Sequence, residues 1–317
     1  MSNGFTFRPA ERKDTPLIIG LAGPTKSGKT MSALRLAAGL TDNFERIAML
    51  NAEGKRGEQY AEWFEDKYGK QYLNCNIDPP YSPERYEEAL RAMKSLHPTV
   101  GIIDSASHMH DGPGGLLEYH DAELNRLSRG DDNKRDKNNF TAWIKPKAAE
   151  NKFIYTMLGM ECPIILCFRA KEKLKIISGK PPIDLGWQPI AGDRITFETI
   201  FTLVLPPHSK GVPDLSLSEM RQPFDTMVPK DKPIDEELGR ALAAWAKGGS
   251  ATPQPSQPSA DAQALKKQLQ EATTVAELDR IAKLAKSLPD AEKAELREQY
   301  IDRKTELLDA QRQKESA

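Results

Sequence analysis

Cysteine is scarce in this sequence, with three among 317 residues: Cys75, Cys162 and Cys167. None stands at metal-ligand spacing. Cys162 and Cys167 bound one apolar run, so buried, reduced thiols are expected, in keeping with a reducing cytoplasm. Long hydrophobic runs are missing too. No apolar segment approaches the roughly eighteen residues that a membrane-spanning helix needs, so none is expected. The first residues, "MSNGFTFRPAERKD", lack the apolar segment of a secretory signal. An excess of charge of one sign is also absent. Lys and Arg number 45 against 46 Asp and Glu, for a formal net charge of -1. Any contact with nucleic acid must then come from a local patch, because no global field attracts it. What is present, 38% hydrophobic and 29% charged residues, suits a soluble globular protein with some loosely structured parts.

Composition shifts sharply once. "GGSATPQPSQPSADA", Gly248 to Ala262, is rich in Gly, Pro, Ser and Gln and has almost no large apolar residue. It reads as a linker. The expected organisation is an N-terminal arm over 1–14, an α/β domain over 15–247, a linker over 248–262 and a helical C-terminal domain over 263–317. In the α/β domain, "LIIGLA", "RIAMLN", "TVGIID" and "CPIILCF" are continuous apolar runs. Strands buried on both faces of a parallel sheet look like this. Helical stretches lie between them. Ser82-Pro83 signals a helix start, and Tyr86, Ala89, Leu90 and Met93 then mark one helical face. Alternation of this kind predicts an α/β fold with a mostly parallel sheet flanked by helices. Further on, "LKIIS", "TIFTLVL" and "LSLSEM" predict added antiparallel strands, and "IDEELGRALAAWA" a closing helix. In the tail, Thr274 and Glu277 form a capping box. Leu278, Ile281, Ala282, Ala285 and Leu288 make an apolar stripe. Asp290 reads as a further cap, with Leu296, Tyr300 and Leu307 on one side, so a helical hairpin is expected.

Between the first strand and the first helix lies Gly23-Pro24-Thr25-Lys26-Ser27-Gly28-Lys29-Thr30. It fits G-x-x-x-x-G-K-[ST] at every fixed position, in the strand–loop–helix context the motif needs. The glycines let backbone N–H groups curl around phosphates, and the helix that begins near Lys29 turns its positive end toward them. Lys29 is expected on the β- and γ-phosphates and Thr30 on Mg2+. The strand ending in Asp104 supplies a second oxygen ligand for that metal. Glu53 follows the second strand by two residues. Neighbouring parallel strands open into one crevice at their carboxyl ends, so Glu53 and Asp104 are expected to flank one γ-phosphate.

These residues in this order resemble the RecA-like core ATPases. The family's Asp-Ala-Glu after the second strand corresponds to Asn51-Ala52-Glu53 here, with Asn a departure and the glutamate retained. Four stretches are similar, more closely, to a group of phage-encoded P-loop ATPases of AAA type: "FRPAERKDTPLIIGLAGPTKSGKTMSALRLA", "IIDSASHMHDGPGGLLEYHD", "NFTAWIKPKAAENKFI" and "CFRAKEKLKI". The resemblance covers Phe5 to Pro206. It implies a RecA-like core that binds and hydrolyses ATP with Mg2+. Lys29, Glu53 and Asp104 would be the working residues, with Glu53 activating water. It also implies that Arg169 and Lys171, past the fourth strand, sense or stabilise the γ-phosphate, with Lys171, Lys173 or Lys175 able to act on a neighbouring subunit. A homo-oligomer follows, as does a role in phage DNA recombination or replication in the cytoplasm of a bacterial host. The tail is similar to helical tails of some phage recombination proteins, although a generic hairpin for a protein partner is the stronger reading.

His108, His110 and Asp111, with His120 beyond, could hold zinc, although a loop beside the nucleotide is the stronger reading. "GPGG" at 112–115 reads as a mobile loop feeding a helix. The stretch 126–140, "RLSRGDDNKRDKNNF", reads as a flexible loop. Its Arg126, Arg129, Lys134, Arg135 and Lys137 could touch the phosphates of single-stranded DNA, with three aspartates diluting the field. Phe140 and Trp143 are expected in the core rather than as a platform for bases. Two other functions remain open. One is a P-loop kinase with the 126–140 stretch as an arginine-bearing lid. The other is a non-hydrolysing nucleotide switch that recruits a partner through its tail.

Overall fold

Strands that are apolar at every position must be covered on both faces, and that requirement organises this fold. The computed structural model describes residues 15–176 and 181–248, and in the tail residues 265, 267–270, 272, 274–284, 296, 300, 303 and 304. The chain divides between Thr252 and Pro253 into two units. The expected arm 1–14 and residues 249–262 of the expected linker lie outside the described residues, as do Ala285, Leu288, Asp290 and Leu307.

In the first unit the order begins β1 (Ile18–Gly23), α1 (Lys29–Leu40), β2 (Ile47–Asn51), α2 (Ala61–Tyr68), β3 (Leu73–Asn76), α3 (Pro83–Ser95) and β4 (Val100–Asp104). Four helices follow: α4 (His108–Asp111), α5 (Leu116–Ser128), α6 (Asp132–Ala142) and α7 (Ile144–Leu158). Then come β5 (Ile164–Lys175), β6 (Ile183–Pro189), α8 (Asp193–Phe197), β7 (Phe201–Val204), β8 (Asp214–Glu219), α9 (Phe224–Met227) and α10 (Glu236–Ala246). Among the described residues eight strands form one sheet, ordered β3-β2-β4-β5-β1-β7-β8, with β6 paired to β5. The pairs β3-β2, β2-β4, β4-β5, β5-β1 and β1-β7 are parallel. Of the three antiparallel strands expected, "LSLSEM" forms β8, antiparallel to β7, whereas "TIFTLVL" forms β7, which pairs parallel with β1. The start of "LKIIS" is the end of β5, whose antiparallel partner β6 was not expected.

Every residue of β1, β2 and β4 is buried. Odd and even positions feed different cores. Ile19 and Leu21 join Leu34, Ala37, Phe64 and Leu242 under α1, α2 and α10. Ile18 and Ala22 join Tyr86, Leu90, Phe153 and Met157 under α3 and α7. The helix expected after Ser82 forms as read. Ser82 accepts from the Arg85 N–H, Pro83 takes the first turn, and Tyr86, Leu90 and Met93 are buried. Cys162 and Cys167 are buried free thiols and Cys75 is exposed.

Other expectations change. Residues 126–140 are not one flexible loop. α5 runs to Ser128, Arg129 and Gly130 turn the chain with positive φ, and α6 begins behind Asp131, whose side chain accepts from the Asn133 N–H. α6 carries almost no apolar residue, so hydrophobic periodicity could not reveal it; its cap and its packing on α5 hold it. Phe140 is 87% exposed rather than in the core, and Trp143 stacks on His120 with ring centroids 4.2 Å apart. The 112–115 loop is closely packed. Tyr81 N–H donates to the Pro113 carbonyl at 2.7 Å, and a Cβ on Gly112 would fall 2.9 Å from the Tyr81 ring.

Among the described tail residues, the capping box is present. Thr274 N–H donates to Glu277 at 3.2 Å and Glu277 N–H to Thr274 Oγ1 at 3.3 Å, opening α11 (Val275–Leu284). Leu278 and Ile281 are buried with Leu265, Leu269, Ala272 and Leu296. Ala282 is exposed, contrary to its place in the expected stripe.

α1 and α10 cross at glycines. A Cβ on Gly39 would fall 2.1 Å from the Glu236 carbonyl, and one on Gly239 would fall 2.4 Å from the Leu36 carbonyl. The Glu236 side chain secures the crossing, accepting from Arg35 at 2.7 Å, from Lys67 at 2.6 Å and from the Tyr68 hydroxyl. Burial works to raise its pKa, but the hydrogen bonds from these three donors outweigh burial and hold it at about 2, below the ordinary 4.5. A folded-state pKa below the unfolded one stabilises fully above the unfolded value, and the stabilisation fades as pH falls toward 2. Solvent at the rim of the site screens part of this. Glu236→Gln is expected to cost about 1–2 kcal/mol near neutral pH. Urea unfolding at about pH 7 and about pH 4 should show the gap to the native protein narrowing at the lower pH.

Candidate functional site

The parallel register determines which side chains meet. Asn51 pairs with Asp104 across β2 and β4, Asp104 with Cys167 across β4 and β5, and Gly23 with Arg169 across β5 and β1. Four strand ends therefore open into one cleft. Thr25, Lys26, Gly28, Lys29 and Thr30 line a cavity of about 290 Å3 there, together with Glu53, Asp104 and Arg169.

The loop 24–28 turns sharply from β1 into α1. Lys26 has φ 66° and Gly28 φ 101°, both left-handed. Consecutive peptides in such a turn point N–H groups inward and make an anion-binding concavity, to which the start of α1 adds its positive end. Lys29 Nζ donates to the Gly23 and Pro24 carbonyls at 2.8 Å each, so it lies along the loop. Burial lowers its pKa, against the charge of Asp104. Ser27 is fully buried, and its Oγ has no hydrogen-bond partner among the described residues. A segment after β7 braces the loop: Gly211 N–H donates to the Ser27 carbonyl at 2.9 Å and Ser209 Oγ donates at 3.1 Å. This brace was not read from the sequence. Gly211 is recognisable only as a glycine in "PPHSKG", without partner or motif.

Thr30 Oγ1 donates to Asp104 Oδ2 at 2.5 Å. The Asp104 pKa is raised by burial, opposed by the Thr30 hydrogen bond and the Lys29 charge. A hydroxyl and a carboxylate side by side are oxygen donors suited to Mg2+, which binds through one or two protein oxygens and fills its shell with phosphate and water. The donor set therefore fits that cation. No group of three or more His, Cys, Asp or Glu converges among the described residues, and His120, stacked on Trp143, faces the Asn139 carbonyl at 3.2 Å. The zinc alternative finds no cluster here.

The Asn51 departure has a local explanation. Asn51 is buried and serves both as donor and as acceptor: Nδ2 donates to Asn76 Oδ1 at 2.7 Å and to the Gly54 carbonyl, while Oδ1 accepts from the Glu53 N–H at 3.1 Å. An aspartate could not donate to Asn76. Glu53 is thereby set just past the sheet. Its Oε2 pairs with Arg56 at 3.2 Å and its Oε1 lies 3.9 Å from His108 Nδ1. Burial lowers the His108 pKa, against the pull of Glu53.

Arg169 lines the cavity, its N–H bonded to Ser107 Oγ at 2.8 Å. Lys171 does not line it. It is exposed on a ribbon where β5 leaves the sheet to pair with β6, opposite Gln188. Arg56, Gln59 and Tyr60 complete the lining and were missed in the sequence. They sit on a 3-10 segment, Gly54–Tyr60, and the only local hint was a basic residue three places after Glu53. The basic residues of 126–140 are partly engaged within the chain: Arg126 pairs with Glu123 at 2.7 Å and Lys134 with Asp131 at 3.0 Å.

The first unit is thus an α/β protein whose mostly parallel sheet carries a glycine-rich loop and acidic residues at the carboxyl ends of its interior strands. No described helix is long and apolar enough to cross a membrane. No family model matches the chain, and no curated protein matches it significantly.

Gly28 tests the cradle. Its φ disfavours any side chain, and a Cβ would fall 2.6 Å from Gly211 N. Gly28→Ala is expected to cost about 1–3 kcal/mol in chemical denaturation.

Proposed function

We propose that the chain is a RecA-like P-loop ATPase that binds Mg-ATP at this cleft and hydrolyses it. The observation that carries the proposal is one shared cavity, lined by Lys29, Thr30, Asp104, Glu53 and Arg169. Those are the chemical types that phosphoryl transfer to water needs. Backbone N–H groups of residues 25–28 and Lys29 would hold the phosphates, and Thr30 and Asp104 would hold Mg2+. The metal, when bound, neutralises charge that develops on the phosphate oxygens. Glu53 orients a water and accepts its proton, and Arg169 stabilises the charge on the transferring group.

The biological setting rests on resemblance: an oligomer acting on DNA in phage recombination or replication, within the cytoplasm of a bacterial host. Lys171 fits a role between subunits, since it is exposed on the ribbon that begins at Arg169. The tail suits a protein partner. A kinase with a lid at 126–140 is less well supported, because Arg126 and Lys134 pair with carboxylates close by in the chain.

Lys29→Ala is expected to abolish ATP turnover, and Glu53→Gln to keep nucleotide binding while slowing hydrolysis about 100-fold or more. Steady-state hydrolysis by the full-length protein, with and without single-stranded DNA at two salt concentrations, checks both the enzyme and its partner. Stimulation by DNA that fades as salt rises is expected. Turnover that requires an added phosphoacceptor would replace the hydrolase reading with the kinase one.

A further inference from the structure

We infer that Arg56 is a triphosphate-sensing residue, which exchanges Glu53 for the terminal phosphate and so frees the glutamate only when a γ-phosphate is present. The inference rests on the nucleotide-site reading above. It starts from the way Glu53 is held. Asn51 Oδ1 anchors its backbone N–H, and His108 stands 3.9 Å from Oε1, so one side of Glu53 is defined by residues behind the sheet edge. The other carboxylate oxygen, Oε2, is occupied by Arg56. While that pair stands, Oε2 is turned to the guanidinium rather than to a water.

Arg56 itself is placed to change partners. The backbone on either side of it is tied down. The Gly54 carbonyl accepts from Asn51 Nδ2, and the Gly57 carbonyl, in a buried residue, accepts from the Tyr72 hydroxyl. The Arg56 side chain is 59% exposed and lines the same cavity as Lys29 and Thr30. The exchange therefore needs rotation about side-chain bonds and no loop movement. Its direction follows from electrostatics. An ion pair this exposed contributes little, whereas a terminal phosphate offers more negative charge and several oxygens for a bidentate guanidinium contact. The bond from the Glu53 N–H to Asn51 Oδ1 keeps the Glu53 backbone in place after Arg56 leaves. ADP lacks the group that would draw the guanidinium away.

The test is equilibrium binding of Mg-ADP and of a non-hydrolysable Mg-ATP analogue to the full chain. The native protein is compared with Lys29→Ala, Arg56→Ala, Arg56→Lys, Glu53→Gln and the double variant Arg56→Ala/Glu53→Gln. Arg56→Ala is expected to weaken the analogue about tenfold or more, the range of a charge-assisted hydrogen bond, and to leave ADP unchanged. Arg56→Lys should fall between. Glu53→Gln removes the competing carboxylate and should tighten the analogue, and that gain should vanish in the double variant. Arg56→Ala that leaves the analogue unchanged, or weakens ADP and analogue alike, overturns the inference while Lys29→Ala still weakens both. If Lys29→Ala weakens neither, or the native protein binds no nucleotide, the site reading itself falls and this inference with it.

Discussion

The hydrogen bond from Thr30 to Asp104 joins residues 74 positions apart and ties the first turn of α1 to the end of β4. Much else in the molecule is arranged so that this contact can exist. β5 must lie between β1 and β4 in register, because a one-residue slip in either pairing would turn Asp104 or Gly23 to the other face. α1 must leave the sheet at the angle set by the left-handed turn at Gly28. The segment at Ser209–Gly211 must close on the loop from behind. The carboxylate itself is costly to bury, as its raised pKa reflects. Its position is sustained by the Thr30 hydroxyl and the nearby Lys29 charge. Under the proposed function, a divalent cation between the same two oxygens would remove that cost.

Around that contact the structure separates fixed groups from movable ones. Asn51, Ser107 and the Asp104 main chain belong to the rigid strand ends: Ala52 N–H donates to the Asp104 carbonyl at 2.6 Å, and Tyr86 donates to the Ser105 carbonyl at 2.8 Å. Lys29, Arg56 and Arg169 are cations on flexible stems around one cavity. Lys29 rests on its own loop carbonyls and Arg56 on Glu53. Each of these contacts is one that a polyanion can displace, because its phosphate oxygens outcompete neutral carbonyls and a single exposed carboxylate. Under the proposed function, fixed carboxylates and movable cations suit a highly charged substrate.

The ribbon of β5 and β6 has a different character. Leu174, Ile183 and Leu185 are exposed on it, and Arg169 stands at its base in the cavity. The strand that supplies the sheet between β1 and β4 thus continues outward as a projecting element. Any movement of Arg169 and any contact made by the ribbon share one backbone.

The sequence by itself determined the layers and the cradle. Continuous apolar runs require two-sided burial, so the central parallel strands were legible. So was the loop, because a glycine-rich turn between strand and helix is local chemistry written in adjacent residues. Ser82 and the Thr274–Glu277 box were legible for the same reason: caps act within a few residues. Only the tertiary structure decided what depends on register and on distant partners. β3 and β6 were missed because Leu73–Asn76 is mostly exposed and polar, and Ile183–Pro189 has no two-sided apolar pattern to betray it. α6 was missed because its stability comes from a cap and a neighbour. The exchange of an expected Asp for Asn51 made sense only once Asn76 stood beside it. Arg56 and Gly211 joined the site through folding alone, since nothing in their sequence neighbourhoods encodes the side chains they would meet across the sheet, whereas His108 was legible as part of a loop beside the nucleotide.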